Sequence, residues 1–297
     1  MNAADTDGRA KGAGPAGGRA VGIRIAQDRL FKGGVIGLAF VSLVPLFLIL
    51  GYIAKKGAGA VNWGFITSLP KPVGDVGGGV SNALVGTVIL IALSCVMAIP
   101  LGIGTGIYLS EYRERKLAYL VRLSVEVLHG IPSIVIGIVA YTWVVLRMGK
   151  FSALSGGVAL GIMMLPVVIR STEETLKLIP GSLREASMAL GVPYHRTVLK
   201  VLLPAGLGGI MTGVLVSVAR IAGETAPLLF TAFGSPFMST DILGPINSLP
   251  LLIFNYATSP YTEWHSLAWG ASFVLAVLVL GLNLFAKVVT RKWKVRF

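Results

Sequence analysis

The chain has 297 residues, of which 54% are hydrophobic and only 13% charged, with a mean hydropathy of +0.79. A soluble domain carries about 25% charge, so the composition excludes an ordinary soluble fold and points to an integral membrane protein. The net charge of +13 does not indicate a nucleic-acid binder, because the basic residues flank apolar runs and form no aromatic-interleaved patch.

Residues 1–32 are rich in Gly, Ala and charge, without apolar periodicity, and read as a mobile tail. The remainder, 33–297, reads as one transmembrane domain. Six apolar segments follow the tail, at 33–54, 83–109, 124–146, 153–169, 206–233 and 267–289. Each is close to the ~20 residues that a helical span needs. Their length and lack of alternation exclude a β-barrel, so the predicted class is all-α. Ala58-Gly59-Ala60 resembles a signal cleavage site, but segment one exceeds the ~7–15-residue core of a signal peptide, and Lys55-Lys56 intervenes. An uncleaved first helix is the better reading.

The single cysteine, Cys95, sits mid-segment and reads as a packing residue. Gly102-Ile103-Gly104-Thr105-Gly106 lies inside a span, where close helix packing explains it better than phosphate binding. Glu126 and His129, three residues apart, could be read as a proton relay, but they stand near the cytoplasmic end of span three, where charges reach water, which favours an interfacial role. No G-x-x-x-x-G-K-[ST] occurs, so the chain is not expected to hydrolyse nucleotide. His129, His195 and His265 are scattered, which gives no metal site, and no nucleophile motif suggests a hydrolase.

Of the 26 Lys and Arg residues, twenty lie in the tail, 110–123, 170–205 and the C-terminal end. Five lie in the alternate loops, and Arg220 is the remaining one. The positive-inside rule therefore places both termini and 170–205 in the cytoplasm.

The stretch 170–205 is long for a connector. Leu183 to Leu190 forms an amphipathic pattern, with Gly191 as C-cap and Pro193 preventing continuation. Thr197–Leu203 resumes an apolar pattern, closed by Pro204. Such a surface helix suits either docking into a partner's groove or lying on lipid. Glu185-Ala186-Ser187, Gly191 and Val201-Leu202-Leu203-Pro204 resemble the EAA loop of ATP-binding-cassette importer permeases, with Ser187 and Val201 as departures. The resemblance implies a type I, MetI-like architecture of six spans with the loop at 171–205. It also implies that Glu185, Ala186, Gly191, Leu203 and Pro204 couple to an ATPase subunit.

Segment five carries Arg220 near its middle and Glu224 one turn on, inside ARIAGETAP. Each charge costs about 2.5–3.5 kcal/mol at the bilayer centre. Gly213, Ser217, Arg220 and Glu224 form one stripe at helical spacing, expected to face other helices or a water-filled path. Gly223 and Pro227 favour a bend beside the pair. A guanidinium suits an oxyanion, while Glu224 holds it in place and limits affinity.

Arg220-Ile-Ala-Gly-Glu224-Thr225-Ala-Pro-Leu-Leu229 resembles the fifth-helix signature of PstA-type phosphate permeases. Gly130-Ile-Pro-Ser-Ile-Val-Ile-Gly137 and Leu249-Pro-Leu-Leu-Ile-Phe-Asn-Tyr256 are similar to two further motifs of that family. The resemblance implies a multi-pass subunit of a bacterial plasma membrane, with inorganic phosphate passing Arg220, Glu224, Ser217 and Thr225. It implies as partners a PstC-type permease, a dimeric ATPase that binds the ATP and magnesium, and an extracytoplasmic phosphate-binding protein. No cofactor is expected in this chain itself. The alternatives are an importer of another oxyanion, such as sulfate or molybdate, and an ATP-independent transporter or channel.

Overall fold

Inside a bilayer every backbone amide needs a partner from protein, and long apolar runs meet that need as helices. A computed structural model describes residues 15–75 and 77–292, and among them the one strand-type pairing is an isolated bridge between Phe233 and Ile246. Helix α1 covers Pro15–Gly57 and α2 covers Ser81–Glu111. Helices α3, Lys116–Gly130, and α4, Ser133–Met148, follow. Next come α5, Ala153–Lys177, α6, Gly181–Ala189, and α7, Tyr194–Ile221. The chain continues with α8, Ala226–Thr231, α9, Leu249–Ala257, and α10, Thr262–Lys292.

The chain forms two compact units, residues 1–52 and 53–297. The described part of the first is helix α1 as far as Tyr52, on which Lys32 and Asp28 pair one turn apart at 2.7 Å. Of the tail expected over 1–32, residues 1–14 lie outside the described residues. From Pro15 onward the described chain is helical.

In the second unit α5 is the central helix, and glycines on its neighbours bring their backbones against it. Leu93, Gly102 and Gly106 of α2 meet Gly157, Val168 and Thr172 of α5 in the same order, so these two helices run parallel. Gly206, Gly209 and Gly213 of α7 meet Leu176, Thr175 and Ser171 in reverse order, so α7 is antiparallel. The Gly102–Gly106 run is thus a packing seam, except that Gly104 faces open space. At the far end, Leu249, Leu252 and Tyr256 of α9 pack with Phe65, Val80 and Ala83 and with Ala268 and Ala271 of α10.

Among the described residues five helices are long and apolar enough to cross a membrane, and the bent pair α3–α4, counted as one span, brings the number to six. Three expected boundaries change. Segment three bends by 107° between Gly130 and Ser133, because Pro132 lacks an amide hydrogen and holds Ile131 extended at φ −72°, ψ 132°. Segment four continues to Lys177. Its added turns are neutralised by ion pairs from Glu173 to Arg122 at 2.7 Å and to Lys177 at 2.6 Å. Pro204 does not close its helix; a wide turn over Val198–Leu202, with the Leu203 amide reaching the Val198 carbonyl, carries the helix past it.

Gly106→Leu is expected to destabilise the protein by about 1–3 kcal/mol, the cost of overpacking. A Cβ there would lie 2.8 Å from Thr172 Cγ2 and 2.9 Å from the Ile169 carbonyl. Gly104→Leu, with nothing within 4 Å, is the control that should leave thermal unfolding in detergent unchanged.

Candidate functional site

The fifth apolar segment is two helices, not one. α7 stops at Ile221 and α8 starts at Ala226. The turn between them is tight, with the Gly223 amide donating to the Arg220 carbonyl at 3.3 Å and Glu224 to Ile221 at 3.2 Å. Pro227 in the first turn of α8 has no amide to donate, which costs nothing there. Extending the α5–α7 register beyond Gly213 and Ser171 brings Arg220 level with Met164, near the middle of α5. Its neighbours Val218 and Ile221 share a core cluster with Met164 and with Ala98 of α2. The break and its two charges therefore lie at mid-depth.

Both sides of the break are held. Gly137 of α4 admits the Pro227 backbone, so the bent third segment and the broken fifth meet at their signature residues. At the far end of α8, the Thr231 carbonyl accepts from Ser152 N at 3.1 Å and Ser155 Oγ at 2.8 Å. Arg220 Nε lies 4.0 Å from Glu224 Oε1, with the side chains 46% and 20% exposed. That is an ion pair too long for a hydrogen bond. Its position in the last turn of α7 also sets the cation against the helix's partial negative end.

The expected stripe divides. Gly213 and Ser217 are buried, and Ser217 Oγ donates to its own helix at Val214 O, 2.7 Å away. Arg220 is instead exposed, continuing a row with Pro204, Thr212 and Val216. The short hydroxyl is satisfied locally and stays among the helices, whereas the long arginine stem carries its head outward from the edge of the packed arc. Ser217 is thus buried among the helices, whereas Arg220 is exposed and Glu224 and Thr225 are half-buried. Glu126 pairs with Arg170 at 3.0 Å, both exposed, and His129 is exposed beside it.

At the other end of the unit, α6 closes with paired backbone bonds. The Val192 amide reaches Ser187 O at 3.3 Å and Gly191 reaches Met188 O at 2.9 Å. This is a Schellman cap, and Gly191 supplies the φ of +76° that it requires. Glu185 and Ala186 are exposed, and Leu190 is 84% exposed. Ser187 is buried, its hydroxyl 3.0 Å from Thr197 Oγ1, and Arg184 pairs with Glu111 of α2 at 2.5 Å. Leu203 packs inward with Leu202 and Leu176, while Pro204 is exposed. Of the residues predicted for coupling, Glu185, Ala186 and Gly191 thus share one surface, and Leu203 supports it from beneath. Among the described residues no three His, Cys, Asp or Glu gather to hold a metal.

A family model described as binding-protein-dependent transport system inner membrane component matches residues 98–295. The phosphate transport system permease protein PstA of Yersinia pestis is 45% identical over 250 residues, covering 84% of this chain and 85% of its own length. Its namesake in Mycobacterium leprae is 38% identical, covering 88% and 89%. The chain belongs to the PstA permeases of this transport family. Among solved structures, a bacterial alginate ABC transporter in complex with its alginate-bound periplasmic protein aligns with a TM-score of 0.65 at 13% identity, covering 91% of this chain and 96% of its own. The inward-facing MetNI methionine transporter aligns at 0.58 and 21% identity, covering 73% and 95%. At such identities these likenesses show the fold, which is the MetI-like permease fold.

In this PstA-family chain, sequence reasoning overlooks Glu111, Arg184 and the Ser187–Thr197 bond. Ser187 reads from the motif as a small departure from alanine, yet it is a matched polar partner. The available signal is chemical: a serine on the inner face of an amphipathic helix needs an acceptor or donor nearby. Replacing Gly191 by Ala puts a Cβ into open space but on a left-handed backbone, costing about 1–2 kcal/mol. Amide hydrogen exchange at Val192 should then quicken about 5- to 30-fold.

Proposed function

We propose that this chain is the membrane permease subunit of an ATP-driven importer of inorganic phosphate. The observation that carries the reading is the Arg220–Glu224 pair at a mid-depth helix break, open on one face, in a chain of the PstA family. Irregular backbone at membrane depth is tolerated where it is covered by protein or lines a water-filled cavity, and broken helices at the midplane mark substrate sites. A guanidinium offers paired donors to a phosphate oxygen pair. At 4.0 Å from Glu224, those donors are available, while the carboxylate tempers the positive potential and keeps a monovalent or divalent anion from being trapped. Thr225, at the start of α8, adds a hydroxyl beside them.

The finer assembly belongs to the same reading. A homologous permease covers the open face, and an extracytoplasmic binding protein delivers phosphate. A dimeric ATPase binds ATP and magnesium and docks on the surface of Glu185, Ala186 and Gly191. This chain, with no nucleotide-binding loop in its sequence, supplies the path and the lever. Both termini lie on the ATPase side of a bacterial cell membrane, by the charge asymmetry of the loops. Transport proceeds by alternating access, since a path open at both ends would dissipate the gradient.

Labelled phosphate uptake by reconstituted complexes tests this, with ATP hydrolysis followed in parallel. Arg220→Gln should lower uptake about 10- to 100-fold, the worth of a hydrogen bond to a charged group, and Arg220→Lys should fall between. Uptake unchanged in Arg220→Gln, or driven by sulfate or molybdate in preference to phosphate, would overturn the reading.

A further inference from the structure

The coupling surface is borne by α6, and what α6 is fastened to decides where its motion goes. Its inner side makes three attachments. Leu183 packs against a cluster formed by Leu176 of α5 and Val198, Leu202 and Ile210 of α7. Ser187 bonds Thr197 at the root of α7. Arg184, adjacent to the exposed Glu185, donates from Nη2 to Oε1 of Glu111, the last residue of α2. Of the three, the Arg184–Glu111 pair is the one that leads to α2.

The end of α2 is in turn locked to its neighbours. Arg122 of α3 donates from Nη2 to the Leu109 carbonyl at 2.8 Å, from Nη1 to the Arg113 carbonyl at 3.0 Å, and from Nε to Glu173 of α5 at 2.7 Å. Lys177 holds the same Glu173 at 2.6 Å. The inner ends of α2, α3 and α5 thus form one ionic clamp, and Glu111 is the place where α6 is tied to it.

That tie is half made. The Glu111 side chain is 3% exposed. Its second oxygen, Oε2, and the Nε of Arg184 are both buried without a partner. Buried polar atoms are nearly always paired, so two such orphans on one ion pair call for a reason. They are the complementary halves of a side-on bidentate contact, in which Nη2 and Nε of a guanidinium meet both oxygens of a carboxylate. A small rotation of α6 relative to α2 would close the second bond.

We propose that Glu111 and Arg184 form a two-position latch, singly bonded in this conformation and bidentate in the other, which passes movement of α6 into α2 and the clamp. Both are positioning residues; neither touches phosphate or nucleotide. The inference rests on the reading of α6 as the ATPase-docking helix and goes beyond it by naming the link that carries the stroke. The two arrangements differ by one charge-assisted hydrogen bond, so either can be selected by a modest bias from the ATPase.

The test is the amount of phosphate moved per ATP hydrolysed by the full reconstituted complex. Arg184→Lys keeps the charge and the single contact but cannot chelate side-on. It should assemble with the ATPase and hydrolyse ATP, yet lower the phosphate-to-ATP ratio about tenfold, the worth of one charge-assisted bond. Glu111→Gln should do the same, and the double variant should fall no further than either single one, since the two act through one contact. A normal ratio in Arg184→Lys overturns the latch, as do losses that multiply in the double variant. A wild-type complex that retains no ATPase would overturn the permease reading itself, and the latch with it.

Discussion

Inside hydrocarbon, a backbone amide or carbonyl without a partner costs several kcal/mol, and most of this architecture follows from that penalty. The apolar runs have no option but helix. Where the helix stops at depth, at Gly223 and Glu224, the peptide groups must be satisfied by the turn itself, and they are, through Arg220 and Ile221 carbonyls. The break is then affordable only because α4 and α5 cover it, through Gly137 against Pro227 and Ser155 on Thr231. Arg220 stands on an exposed face of α7 beside the break.

Packing between helices in such a medium gains little from burying apolar surface, because lipid is as apolar as leucine. Close backbone approach takes over that role. The glycines facing α5 from α2 and α7 bring three helices within van der Waals contact, and this seam sets the depth of Arg220. A shift of one turn along it would move the pair by about 5 Å, out of the middle of the domain. Stability and site position are thus governed by the same contacts.

Charge is distributed by the same rule. At mid-depth, among the described residues, stands one loose pair, Arg220 and Glu224, 4.0 Å apart. At the inner end, water is near, and Glu111, Arg122, Glu173, Lys177 and Arg184 gather into a network that joins helices and the surface helix α6. Isolated exposed ion pairs contribute little. This network includes two carboxylates that are nearly buried, so removing a partner would strand a charge, which makes the connection directional and stiff.

The helical nature of the apolar segments, the α6 helix with its glycine cap, and the identity of the mid-segment pair are all legible from residues close together in the chain. Hydropathy, Gly191 followed by Pro193, and Arg220 four residues before Glu224 are local signals, and local signals survive without knowledge of the fold. Two things were decided only by tertiary contact. One is that Ser217 turns inward while Arg220 turns outward. The other is that Glu111 and Arg184, 73 residues apart, meet at all. Sequence spacing puts side chains on a helix, but which arc of that helix is covered, and by whom, depends on neighbours brought in from elsewhere in the chain, and no periodicity within the segment encodes them.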